Sequence, residues 1–86
     1  MNTLEKPKRL CGGTPEQWID QILAEYNCAT QKFGKFNSAH EGYAVLLEEV
    51  DELWDEIKKK DADYRSMQDE ARQVAAMALR FLVDIC

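Results

Sequence analysis

The chain has 86 residues, 45% of them hydrophobic, and a formal net charge of −5. A chain so short buries only about 60–65% of its unfolded surface on folding, so a few helices of this size leave apolar faces for another copy to cover. The acidic balance argues against a nucleic-acid-binding surface, which would be basic. It permits a phosphorylated small molecule if metal ions screen the two negative partners. Cys11, Cys28 and Cys86 have neither zinc-finger nor redox-motif spacing and point to a reducing compartment. No apolar run approaches the roughly 20 residues that span a bilayer, and the N-terminus lacks the apolar core of a signal peptide. A cytoplasmic protein without membrane segments is the expectation.

Residues 1–13, MNTLEKPKRLCGG, read as a flexible lead-in in which Leu10 and Cys11 could pack down as a short strap. A single all-α domain should occupy residues 14–86. Thr14-Pro15-Glu16-Gln17 supplies a capping hydroxyl, proline at the first helical position and glutamine three residues after the cap. Trp18, Ile19, Ile22, Leu23, Tyr26 and Phe33 follow helical spacing, so a first helix runs from Pro15 to about Phe33 and Gly34 ends it. Ser38-Ala39-His40-Glu41 repeats the capping pattern, and a second helix should run from Ala39 to about Lys60. Gly42 near its start costs about 1 kcal/mol relative to alanine, and marks a close approach by another backbone or a ligand. Lys58, Lys59 and Lys60 in the last turn complement the helix dipole, with phosphate contact as their other use.

Asp61 or Asp63 can cap a third helix from about Ala62 to Asp84, whose apolar set is Met67, Ala71, Val74, Met77, Ala78, Phe81, Leu82 and Ile85, widened by Ala75 and Leu79. Its alanines suit close packing, as at a bundle seam. No stretch alternates as a strand would. The fold class is all-α: three main helices per chain, forming four-helix-bundle-like cores by oligomerisation.

The second helix carries two signals. Tyr43, Leu46, Leu47, Val50, Leu53, Trp54 and Ile57 mark an apolar face. Glu48, Glu49, Asp51, Glu52, Asp55 and Glu56 crowd the remainder with no base among them, and like charges at i,i+4 repel. At about 100° per residue, Glu49 sits at the shoulder of the apolar stripe and Glu52 lies about 60° further round, so the two are neighbours one turn apart. Glu48, Asp51 and Asp55 point more toward water. On the third helix Glu70 falls inside the apolar arc, with Gln73 one turn on. A buried unpaired carboxylate must find a base, a proton or a metal. An oxygen-only set from two helices suits Mg²⁺ or Mn²⁺; the other reading pairs Glu70 with a lysine or arginine and leaves the second helix a solvated face.

EEVDEL at Glu48–Leu53, followed about twenty residues later by EARQ at Glu70–Gln73 and the run VAAMALRFL, resembles the MazG-like all-α nucleoside triphosphate pyrophosphohydrolases of the short single-domain type. Their signature is EExxE on one helix and ExxD on the next, and the lead SAHEGYAVLLEEVDELWDEI extends the resemblance to about residues 36–84. The resemblance implies a Mg²⁺-dependent enzyme, with Mn²⁺ as a substitute, that cleaves (d)NTP to (d)NMP and pyrophosphate. By motif match Glu49, Glu52 and Glu70 are metal ligands, Glu48 is the leading glutamate that either supports the ligands from behind or orients water, and Gln73 stands where the family has aspartate. An amide oxygen coordinates without charge, so such a site holds metal less tightly. The family surrounds the nucleobase with residues of the first helix and following turn, which makes Trp18, Tyr26, Phe36, Asn37 and His40 candidates, with Lys35 for a phosphate; packing is the competing use of the aromatic ones. It also implies a dimer, or a tetramer built from two dimers. Asp84 lies near the Gln73 stripe but about 16 Å further along, too far to share an ion. The rival function is a helical oligomerisation or regulatory module that keeps the fold without turnover, with nucleotide binding without hydrolysis as the middle case.

Overall fold

The computed structural model describes residues 13–86. The remainder of the lead-in, including Leu10 and Cys11, lies outside the described residues. Three α-helices follow one another: α1 (Pro15–Phe33), α2 (Ala39–Ile57) and α3 (Tyr64–Asp84), with no strand among the described residues. None of these helices is long and apolar enough to cross a membrane.

The helix ends follow from local hydrogen bonding. Thr14 caps α1 with both halves of a capping box: its hydroxyl accepts from the Gln17 N–H at 3.1 Å, and its own N–H donates to the Gln17 side chain at 2.9 Å. Such a cap contributes about 1 kcal/mol. Gly34, at φ +76°, closes the other end in a conformation that side-chain-bearing residues rarely adopt, with its N–H bonded to the Thr30 carbonyl at 2.9 Å. At α2 only half of the expected box forms. The Ser38 hydroxyl accepts from Glu41 N–H at 3.0 Å, but the Glu41 carboxylate reaches one residue further back, to the N–H of Asn37.

Two boundaries differ from the sequence expectation. α2 stops at Ile57, not near Lys60, because the chain must reverse: Ala62 N–H closes a turn onto the Lys59 carbonyl at 3.2 Å before Asp63 caps α3 through Ser66 N–H at 3.0 Å. α3 therefore begins at Tyr64 and not Ala62. Lys58 and Lys59 fold back onto Asp55 (3.3 Å) and Glu56 (3.0 Å), ion pairs whose lysines stand in solvent and which therefore add little to stability.

α3 is the middle element. It packs against both α1 and α2, which do not pack on each other. Hence its inward face is broader than one stripe: Ala76, Met77 and Arg80 are its buried residues, while Leu82, counted above in the apolar set, is 61% exposed. The core joins Ala29, Phe36, Ala76 and Met77, with Ile22, Tyr26, Val45, Leu46, Phe81 and Ile85 around them. Gly42 is buried, and the close approach there comes from two rings. A Cβ at this position would lie 2.7 Å from the Phe81 ring and 3.1 Å from Phe36. α2 also divides its apolar residues. Gly42, Val45, Leu46 and Leu53 face the protein, whereas Tyr43, Leu47, Val50, Trp54 and Ile57 form an exposed row at four- and three-residue spacing.

Candidate metal centre and adjoining cleft

Three carboxylates meet between α2 and α3. Oxygens of Glu49, Glu52 and Glu70 lie within 4.8 Å of one another, with Glu49 and Glu70 half-buried and Glu52 exposed. The i,i+3 relation puts Glu49 and Glu52 on adjacent turns of one face, and the inward face of α3 delivers Glu70 to them. No lysine or arginine among the described residues pairs with the trio. Arg72, two residues from Glu70, is directed to Asp69 (3.1 Å), Gln21 (3.2 Å) and Glu25 (3.7 Å).

The carboxyl groups face each other instead, with Glu52 beside both Glu49 and Glu70. Burial, then the charges of Glu52 and Glu70, pushes Glu49 from its ordinary value of 4.5 up to about 7. Burial and the Glu52 charge also raise Glu70. Like-charged acids this close cannot all ionise cheaply, so protons are retained. Converging oxygens with no neutralising base fit a hard dication, Mg²⁺ or Mn²⁺, and no thiol or imidazole belongs to the group.

Beside the trio opens a cleft of about 570 Å³. Glu48, Glu49 and Gln73 line one part of it; Glu25, Lys32, Lys35, Phe36, Asn37, Glu41, Met77 and Arg80 line much of the rest. Of the residues expected at the substrate, Lys35, Phe36 and Asn37 line this cleft. Phe36 is only 8% exposed, with the Arg80 guanidinium 4.2 Å from its ring centroid, so little of the ring is open to the cleft. Trp18 and His40 do not line it. The α1 residues that do begin at Glu25, about 10 Å along the helix from Trp18, and the Trp18 indole lies against Gly13 instead. His40 is exposed and rotated about 100° from Glu41, whose face borders the cleft. Tyr26 packs against the core.

One residue of the cleft wall, Arg80, and one beyond it, Asp84, went unassigned in the motifs. Arg80, 3% exposed, donates to the Gly34 carbonyl at 2.8 Å and to the Met77 sulphur at 3.3 Å. The Asp84 carboxylate accepts the Phe36 N–H at 2.9 Å. Together they hold the α1–α2 connection against the end of α3. The spacing of Glu70, Gln73, Met77, Arg80 and Asp84, alternating three and four, was the available signal: it sets polar residues along the inward line of a helix otherwise apolar there. No family model, curated protein or solved structure matches this chain.

Proposed function

We propose that this chain is a Mg²⁺-dependent nucleoside triphosphate pyrophosphohydrolase, converting (d)NTP to (d)NMP and pyrophosphate. The observation that carries the proposal is the convergence of Glu49, Glu52 and Glu70 within 4.8 Å, from two helices and without a basic partner. The EEVDEL and EARQ motifs and the neighbouring cleft of about 570 Å³ add to it, since a nucleotide-sized ligand fits that range.

In this reading Glu49, Glu52 and Glu70 hold the ion, and the Gln73 amide oxygen is the uncharged donor from the next turn. Bound there, a dication neutralises phosphate oxygens and lowers the pKa of water. Glu48, exposed on the cleft wall, orients the attacking water and takes its proton. Lys35 and Asn37 meet polar groups of the nucleotide from the α1–α2 connection, which Arg80 and Asp84 hold in place. The row Tyr43, Leu47, Val50, Trp54 and Ile57 supports association of copies as a dimer, or a tetramer of two dimers, because exposed apolar residues so aligned favour burial.

The test is a panel of NTPs and dNTPs with Mg²⁺, assayed for pyrophosphate. Release is expected from the wild type and lost in Glu49→Gln and Glu70→Gln. Release undiminished in both variants would remove these residues from the chemistry. Gln73 favours a second reading, a non-catalytic helical module, because it withholds one charge from the site. That reading requires no pyrophosphate release and no calorimetric heat with millimolar Mg²⁺ or nucleotide.

A further inference from the structure

The wall formed by the C-terminal half of α3 and the end of α1 has a different chemistry from the carboxylate end. Arg80 is 3% exposed, yet it borders the cleft about 10 Å along α3 from Gln73. A guanidinium carries five N–H donors and no acceptor. Here one terminal nitrogen meets the Gly34 carbonyl and the other meets only a thioether sulphur, while Nε has no acceptor at all. Nor does a carboxylate among the described residues neutralise it. Glu25 pairs with Arg72, Glu41 accepts from Asn37 N–H, and Asp84 accepts from Phe36 N–H. Stacking on Phe36 at 4.2 Å fixes the plane of the group without supplying negative charge. A buried cation without a counter-ion is unfavourable, and this one persists in a chain of net charge −5. Lys32 and Lys35 line the same cleft, both exposed, and neither pairs with a carboxylate among the described residues.

We propose that Arg80, with Lys32 and Lys35 at the rim, forms a metal-independent subsite for a phosphate-type oxyanion. Lys32, Lys35 and Arg80 line the cleft beside Glu25 and Glu41, whose carboxylates are engaged by Arg72 and the Asn37 N–H; the three cations favour a doubly charged phosphoryl group over a carboxylate, and a planar fork matches its oxygens better than a single ammonium does. The subsite needs no turnover and no ion at Glu49, Glu52 and Glu70, so it stands or falls separately from the hydrolase reading.

Isothermal titration of the full chain with inorganic phosphate, pyrophosphate and a nucleoside monophosphate, in EDTA buffer at constant ionic strength, tests it. Saturable binding is expected, weakened at least tenfold by Lys32→Ala with Lys35→Ala. Arg80→Lys, which keeps the charge and loses the fork, should weaken it several-fold. The two exposed lysines keep the test readable if the Arg80 variant does not fold by circular dichroism. Tighter binding of phosphate or pyrophosphate assigns the subsite to the free ion; tighter binding of the monophosphate assigns it to the nucleotide. The proposal is overturned by absence of binding to the folded wild type, by binding that appears only with Mg²⁺, or by undiminished binding in the double lysine variant.

Discussion

The two halves of α3 handle charge in opposite ways. Toward its start, Glu70 faces Glu49 and Glu52, and burial and like charge raise the pKa of Glu49 and Glu70 with no base to relieve them. Toward its end, Arg80 and Asp84 clamp the backbone at Gly34 and Phe36. One half leaves repulsion unrelieved; the other ties one nitrogen of Arg80 and the Asp84 carboxylate to backbone and leaves the guanidinium without a carboxylate partner. Local rules are commonly broken where a ligand is to act and obeyed where a wall must stay put. The acidic half is therefore the part of the helix that a dication can stabilise from outside, and the Arg80–Asp84 half holds the α1–α2 connection beside it.

Substitution distinguishes the halves most sharply at the acids. Glu49→Gln and Glu70→Gln should each lower pyrophosphate release at least about 100-fold, equivalent to roughly 2.7 kcal/mol of barrier. Both should also raise the melting temperature in EDTA, since each removes a repelling charge. A variant that lost both activity and stability would show the acids to be scaffold too. In the other half, Asp84→Ala should lower the unfolding free energy by about 1–3 kcal/mol in urea titrations, because it strands the part-buried Phe36 N–H. An effect no larger than that of a surface substitution would mean the clamp is not holding the connection.

Gly42→Ala carries a smaller penalty of roughly 1–2 kcal/mol, as crowding against the Phe81 and Phe36 rings outweighs the gain in helix propensity. A stabilised variant would show that the rings have room to move. The weakest effect is pH dependence without metal. The folded pKa of Glu49, about 7, lies above its ordinary 4.5, so the folded chain holds this proton more tightly than the unfolded chain does. Its contribution is fully present below about pH 4.5 and is lost as pH rises through 7. Melting temperature in EDTA should decline across that window, and Mg²⁺ should flatten the decline. An upward slope in EDTA would contradict the protonated cluster.

Helix positions were legible because caps are local chemistry. Thr14 with Gln17, Gly34 and Ser38 act within four residues of themselves. The inward leaning of Glu49 and Glu70 was legible from periodicity for the same reason. Where partners lie far apart in sequence, periodicity was silent. The family resemblance gave Trp18 and His40 the same standing as Lys35 and Asn37, although only the latter pair lines the cleft. Periodicity also left Arg80 without a role, because the Gly34 carbonyl it serves is 46 residues away.

The amino-acid sequence by itself determined three helices, their starting caps and the acidic excess of α2, since each depends on interactions within one or two turns. Tertiary structure alone decided that α3 lies between the other two helices. That placement brings Glu70 to Glu49 and Glu52, divides the apolar residues of α2 between core and surface, and buries Arg80 beside a cleft. Each of these depends on which faces meet across the chain, and no local spacing encodes that.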